Sequence, residues 1–103
     1  MSKIRVLIKA PGRKCNLAEI ENSSDTFRQI INGPEETITI ADGLVCICNE
    51  IGKLNGAGRN VPIWGGRDCL VGTVIFCGTT DEDFTDISLR DILLFNFVYG
   101  VEA

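Results

Sequence analysis

The residues with the clearest chemical potential lie in a glycine-rich loop, residues 52–60. Three glycines there are interspersed with Lys53 and Arg59 and with the amides Asn55 and Asn60. Glycines leave backbone N–H groups accessible, and ammonium, guanidinium and amide groups all donate hydrogen bonds to anions. The loop is therefore a candidate anion-binding edge. The alternative is an extended surface loop whose glycines only serve turns.

The loop matches neither of the common phosphate-binding motifs. A P-loop requires Gly-Lys followed by Ser or Thr at the start of a helix, whereas Leu54 follows Lys53. Gly56 and Gly58 do not satisfy the dinucleotide fingerprint, because no helical pattern follows them. Any anion binding here would use a site of another kind.

Trp64, the only tryptophan, lies between this loop and Arg67. An exposed indole can stack on a nucleotide base while a nearby guanidinium contacts phosphate. The alternative role is a partly buried anchor that holds the loop to the rest of the domain.

Five cysteines and the complete absence of histidine limit the possible catalysis. Cys46 and Cys48 are one residue apart, which on a strand places both on one apolar face, whereas zinc knuckles use a two-residue spacing. Without an imidazole there is no partner for a catalytic thiol or serine. Metal-assisted chemistry through carboxylates remains an alternative, with four candidates: Glu50, Asp68, Asp81 and Asp83. We expect core cysteines, no metal, no cofactor and no enzymatic activity.

Charge and hydropathy exclude other classes of protein. The net charge of −4 disfavours nucleic-acid binding through many phosphate contacts. No run approaches the length of a membrane span, and no apolar stretch suits a signal peptide. Free thiols then suit a reducing compartment, so we expect the cytosol, which is that of the host cell if a phage encodes the protein.

The hydrophobic patterns predict a single α+β domain, residues 1–103, with a mostly antiparallel sheet of about five strands covered by two helices. A first hairpin comprises residues 4–9 and a strand around Leu17 and Ile20. The safest element is a second hairpin, residues 37–40 and 44–48, joined at Asp42 and Gly43. Residues 61–64 are predicted as an edge strand or an inward-packing loop because of Pro62, and residues 70–77 as one central strand.

Two helices complete the predicted domain. The first is capped by Ser23 or Ser24 and ends with Gly33 in a left-handed conformation, before Pro34. The last begins at a capping box formed by Ser88 and Asp91. Its predicted buried stripe consists of Leu89, Ile92, Leu93 and Phe97. The apolar residues near the C-terminus are expected to pack in the core or to form a self-association surface; they are Phe95, Phe97, Val98, Tyr99 and Val101.

Two segments of the chain are specific enough to compare with known families: Cys48-Asn49-Glu50-X-Gly52-Lys53-Leu54 and Asp83-Phe84-Thr85. Together with other collinear segments, over roughly residues 4–93, they resemble a family of phage, plasmid and gut-bacterial proteins known as domain of unknown function 3846. The resemblance implies a mobile-element setting, where small proteins often counteract host defence, but no defined activity. The chain departs from the family pattern around Gly56, Ala57 and Gly58.

These observations lead to two functional hypotheses. The first is a non-enzymatic binding protein that counters host defence, either by sequestering a small nucleotide-type anion or by blocking a host defence protein. The second is an accessory domain that self-associates, without ligand, through the C-terminal helix as a homo-oligomer. The predicted ligand-binding residues are Asn49, Glu50, Lys53, Arg59, Asn60, Trp64 and Arg67.

Overall fold

The computed structural model describes residues 2–81 and 83–102. Eight strands and two helices are arranged in a small compact α+β domain. In chain order they are β1 Lys3–Lys9, β2 Cys15–Glu21, α1 Ser24–Ile31, β3 Glu35–Ala41, β4 Leu44–Asn49, β5 Arg59–Ile63, β6 Asp68–Val71, β7 Val74–Thr79, β8 Phe84–Thr85 and α2 Leu89–Val98. None of the helices in the described part of the chain is long and apolar enough to cross a membrane.

The main sheet follows the order β2-β1-β7-β4-β3, and the short β8 adds to β7. All of its strand pairs are antiparallel. β7 lies at the centre, and five of its six residues are buried. The α+β class and the five-stranded path are therefore confirmed. The separate two-stranded ribbon formed by β5 and β6 was not predicted.

The two faces of the sheet are covered by different layers. On one face α1 packs Phe27 and Ile31 against alternate residues of the central strands, including Val6 and Ile75. On the other face the β5–β6 ribbon contributes Val61 and Leu70, and α2 contributes Phe95. Because side chains alternate along a strand, nearly continuous apolar strands are required to serve both layers.

The predicted β3–β4 hairpin is confirmed, with one irregularity. A β-bulge between Thr39 and Ala41 shifts the register, so that Ile38 pairs with Cys46. The bulge orients Ile38 and Ile40 toward the ribbon side of the sheet, where they pack against the apolar core that includes Val61, Leu70 and Phe95. The expected apolar row of Leu44, Cys46 and Cys48 is buried in the same cluster.

The predicted cap of α1 is confirmed, but its termination differs. The Ser23 hydroxyl accepts a hydrogen bond from the Thr26 amide. The left-handed residue is Asn32, with φ 63°, and not Gly33. Gly33 is needed for a different reason: a Cβ there would collide with the amide group of Asn49. Asparagine tolerates the left-handed region better than other non-glycine residues, which explains the exchange of roles.

The prediction of one strand over residues 70–77 was wrong. The chain forms β6 in the ribbon, turns at Gly72 with φ 70°, and begins β7 at Val74 in the main sheet. Apolar character continues across the turn because both strands are buried, so hydropathy alone did not reveal the break.

The predicted buried stripe of α2 was wrong for Leu89, Leu93 and Phe97, whereas Ile92 packs against the core as predicted. The cap at Ser88 is confirmed by a 3.1 Å hydrogen bond from the Asp91 amide. However, the helix places Phe95 in the core and leaves Leu89, Leu93 and Phe97 exposed. At 3.6 residues per turn, Phe97 lies about 160° around the helix from Phe95. α2 is apolar on nearly all sides, so several stripes fit its sequence and tertiary packing selects one.

Candidate functional site

Four of the seven predicted ligand-binding residues border one cavity. Asn49, Glu50, Lys53 and Trp64 line a space of about 310 Å³ between the end of β4 and the β5–β6 ribbon, which we call the Trp64 cavity. Its lining combines apolar side chains with three carboxylates, one from β3, one from the turn after β4 and one from β6. Its remaining lining residues are Glu36, Ile38, Cys48, Asp68, Cys69, Leu70 and Val71.

Asn49 joins the cavity to the end of α1. Its Nδ2 donates to the Asn32 carbonyl at 3.1 Å, and its Oδ1 accepts from the Ile51 amide at 2.9 Å. The same amide group contacts Gly33, where there is no space for a side chain. Asn49 therefore fixes the start of the glycine-rich loop relative to the helix.

Lys53 is already paired within the site. Its Nζ lies 2.5 Å from Asp68 Oδ1. The hydrogen bond to Asp68 raises the pKa of Lys53, and the same bond, together with one from the Cys69 amide, lowers the pKa of Asp68. Both groups are therefore charged at neutral pH and largely neutralise one another. The ammonium is not free to meet an anionic ligand without first leaving Asp68.

Asn60 is fully occupied by interactions inside the protein. Its Oδ1 accepts from Lys9 Nζ at 2.7 Å. Its Nδ2 donates to the carbonyls of Lys9 at 2.9 Å and Gly72 at 2.8 Å. Lys9 is only 5% exposed, and its ammonium also lies 5.2 Å from the centre of the Tyr99 ring. The side chain predicted to bind a ligand here connects β5 to β1 and to the turn before β7.

Arg59 and Arg67 do not line the Trp64 cavity. Arg59 begins β5, and Arg67 follows the opposite end of that strand. Four steps of strand rise separate Arg59 from Ile63 by about 13 Å. Both arginines are exposed. Of the three cationic residues predicted to bind a ligand, only Lys53 lines the cavity, and Arg59 and Arg67 lie elsewhere.

Trp64 has an unusual backbone conformation. Its φ is 52°, and Gly65 and Gly66 that follow have φ values of 66° and 86°. A bulky residue in the left-handed region is strained, and such strain persists only where surrounding structure enforces it. The indole is 51% exposed and borders both the Trp64 cavity and a second groove beside α2. Trp64 was expected to lie between the glycine-rich loop and the turn before Arg67, and the structure places it there in a left-handed backbone conformation.

Sequence analysis missed two carboxylates as members of this site. Asp68 begins β6, and Glu36 lies on β3 opposite Cys48. The predicted β3–β4 hairpin could have indicated that Glu36 lies near the end of β4. However, the β-bulge shifts the partner of Glu36 on β4 by one residue, to Cys48. Asp68 had been considered only as a possible metal ligand, and nothing in the linear order indicates its pairing with Lys53.

The cysteines are free thiols in distinct environments. Four are buried, and only Cys69, which borders the cavity, is partly exposed. Burial raises the pKa of Cys77 to about 12 and also raises the pKa of Cys15. The pKa of Cys46 is raised well above its usual value by its hydrogen bond with Cys48 and by burial. Within residues 2–81 and 83–102, no three cysteine or carboxylate side chains are arranged to hold a metal ion.

These environments predict selective thiol reactivity. We expect Ellman's reagent to modify Cys69 rapidly in the folded protein, and the other four thiols only after unfolding in guanidinium chloride, because reaction requires an accessible thiolate. Peptide mass mapping after a short reaction locates the modified residue. Rapid modification of Cys46 or Cys77 in the native state would contradict the burial described above.

Besides the Trp64 cavity, the exposed face of α2 is a candidate site. We define the α2 surface as the five exposed apolar side chains of that helix: Leu89, Leu93, Leu94, Phe97 and Val98. Phe97 is 90% exposed. Leu89, Leu93 and Phe97 are spaced by four residues and form a ridge. Beside the ridge, Leu94 and Val98 form one wall of a groove of about 800 Å³. Its other wall includes Ile40, Pro62 and Trp64.

Fold and site together define a small α+β protein in which a sheet carries a helix on one face and a ribbon with a second helix on the other. The family described as Domain of unknown function (DUF3846) matches residues 4–96, and the chain therefore belongs to this family. No significant match was found among curated proteins or among solved structures. The resemblance found in the sequence is confirmed, while the phage or plasmid setting stays a prediction.

Proposed function

We propose that this chain is a non-enzymatic binding protein that functions as a homodimer through the α2 surface. The observation that carries the proposal is the exposure of five large apolar side chains on one short helix. Contiguous apolar patches on a protein surface mark sites of protein association. The absence of histidine from the sequence supports binding rather than catalysis, because no imidazole can act as the base for a nucleophile.

The shape of the surface favours a second copy of the chain as the partner. A symmetric dimer needs one patch that is complementary to itself. The α2 surface carries a ridge and an adjacent groove, so that the ridge of each copy can enter the groove of the other. Packing of this kind would cover Phe97 and fill the space next to Trp64 in both copies.

The charges around the groove favour the same partner. Arg90 projects between the ridge and the groove and forms no ion pair with any residue the structure describes. The groove is bordered by Asp42 and Asp86. Arg90 itself lines the groove on the side nearer the ridge, so that in a symmetric pair its guanidinium would approach the carboxylates beside the groove of the other copy.

Hydrogen–deuterium exchange at two protein concentrations tests the proposal. Dimerisation through α2 should slow the exchange of the amides of Leu89–Val98 at high concentration and release them on dilution, because the interface opens by mass action. The amides of α1 on the opposite face provide the internal control. Equal exchange of α2 at both concentrations would refute self-association.

The hypothesis from sequence, a protein that counters host defence, remains a second proposal. Blocking a host defence protein could use the same α2 surface, since an apolar ridge and groove also suit a different partner. Capture of a nucleotide-type anion has less support. The Trp64 cavity is bordered by Glu36, Glu50 and Asp68, and its only cation, Lys53, is paired with Asp68. The contacts therefore favour protein binding over sequestration of an anionic signal.

A further inference from the structure

We infer that the Trp64 cavity binds a cationic group, an amine or a guanidinium, which reverses the ligand charge expected from sequence. This site shares only Trp64 with the groove beside the α2 surface, and cation binding there does not depend on the proposed dimer. The lining of the cavity combines apolar side chains, an indole and carboxylates.

The apolar part of the lining suits the hydrophobic part of a small organic cation. Ile38, Leu70 and Val71 are among the lining residues, together with the half-exposed indole of Trp64. Aromatic faces attract ammonium and guanidinium groups through the ring quadrupole, most strongly for tryptophan. A volume of about 310 Å³ is at the lower limit for small-molecule sites. It suits one headgroup with a short alkyl chain rather than a whole nucleotide.

The charge of the lining also selects a cation. Asp68 is neutralised by Lys53 at 2.5 Å. Glu36 and Glu50 form no ion pair with any residue described in the structure. Glu36 Oε1 accepts a weak hydrogen bond from the Cys48 thiol, whose Sγ lies 3.9 Å away. Two uncompensated carboxylates thus face a cavity with an aromatic wall, and an anion placed there would meet like charge.

The sole tryptophan supplies a local signal for the test. Agmatine, which carries both an amine and a guanidinium, is titrated into the purified protein at constant ionic strength while Trp64 fluorescence is recorded. A Gly-Arg-Gly peptide is the second cationic probe and distinguishes a free cation from an arginine side chain. AMP is the anionic probe. We expect a saturable change with agmatine or the peptide and none with AMP.

Substitution of a carboxylate tests whether the lining acids cause the change in Trp64 fluorescence. Glu50→Gln should weaken agmatine binding by about five- to tenfold, since it removes one charge-assisted hydrogen bond. The matched control is Glu19→Gln, which makes the same charge change on the exposed edge strand β2. That control should bind agmatine as the wild type does. Chemical-shift mapping of ¹⁵N-labelled protein checks that the amides of residues 49–53 and 68–71 respond.

Three results would overturn the inference. The first is no saturable response to either cation in both fluorescence and chemical shifts. The second is AMP binding as tight as agmatine binding, which would restore the anionic ligand predicted from the sequence. The third is equal weakening by Glu19→Gln and Glu50→Gln, which would reduce the effect to the overall negative charge of the protein.

Discussion

Replacement of Asn60 by alanine is expected to lower the free energy of unfolding by about 2–4 kcal/mol, the largest stability effect expected among the seven residues predicted from the sequence to bind a ligand. The substitution removes three hydrogen bonds at once. It also leaves the ammonium of Lys9, which is 95% buried, with only the Ala10 carbonyl at 3.5 Å and the Tyr99 ring. Urea unfolding followed by circular dichroism measures the change.

Two further variants show whether the buried ammonium causes this loss. Asn55→Ala makes the same side-chain change at an exposed position of the same loop and should alter stability by no more than about 0.5 kcal/mol. In a Lys9→Met background, Asn60→Ala should cost at least about 1 kcal/mol less, because no buried charge is left without a partner. Equal losses for Asn60→Ala and Asn55→Ala would contradict the structural role assigned to Asn60.

Phe97→Asp is expected to weaken self-association by at least about 100-fold. In a symmetric dimer the change removes two buried phenylalanines, each worth about 1.5–3 kcal/mol, and introduces two charges into an apolar contact. The side chain is 90% exposed in the single chain. The stability of the monomer should therefore change by no more than about 0.5 kcal/mol. Loss of assembly without loss of folding is the signature of an interface residue.

Leu54→Asp is the matched control for Phe97→Asp. Leu54 is 87% exposed and also apolar, but it lies in the glycine-rich loop away from α2. Its replacement introduces the same charge and should leave association unchanged. If both variants dissociate equally, the effect is one of net charge on an acidic protein and not of the α2 surface.

Local rules predicted those parts of the fold that depend on short-range chemistry. The two capping serines, the hairpin turn at Gly43 and the inward row of Leu44, Cys46 and Cys48 all follow from side-chain chemistry or from the two-residue period of a strand. The family resemblance added the order of the segments but no geometry. These elements position the site, and all were recognisable in the sequence.

The remaining features depend on tertiary choices between nearly equal local options. The division of residues 70–77 at Gly72 occurs inside a continuous apolar run, and hydropathy is the same on both sides. The face of α2 that is buried was also not decided by sequence, because Phe95 and Phe97 are equally apolar. Only the position of β7 and of the ribbon makes Phe95 the residue that packs on Phe76, with ring centres 4.5 Å apart.

The residues of the candidate site also divide into those recognised in the sequence and those that only the tertiary structure brings together. Four of the predicted site residues meet at one cavity: Asn49, Glu50, Lys53 and Trp64. The sequence did not indicate the charge of this cavity, because Glu36 and Asp68 enter from β3 and β6 and were not recognised as neighbours. The pairing of Lys53 with Asp68 then changes a basic loop into an acidic cavity. Such a reversal becomes visible only when distant segments are placed together.

Sedimentation velocity of the wild type, Phe97→Asp and Leu54→Asp over a range of concentrations distinguishes a homodimer from a single chain. We expect the wild type and Leu54→Asp to approach twice the 11.2 kDa mass of one chain as concentration rises, while Phe97→Asp stays at the mass of one chain. A wild type that sediments as a single chain at every concentration would contradict the proposed homodimer, and so would a Phe97→Asp variant that associates as the wild type does.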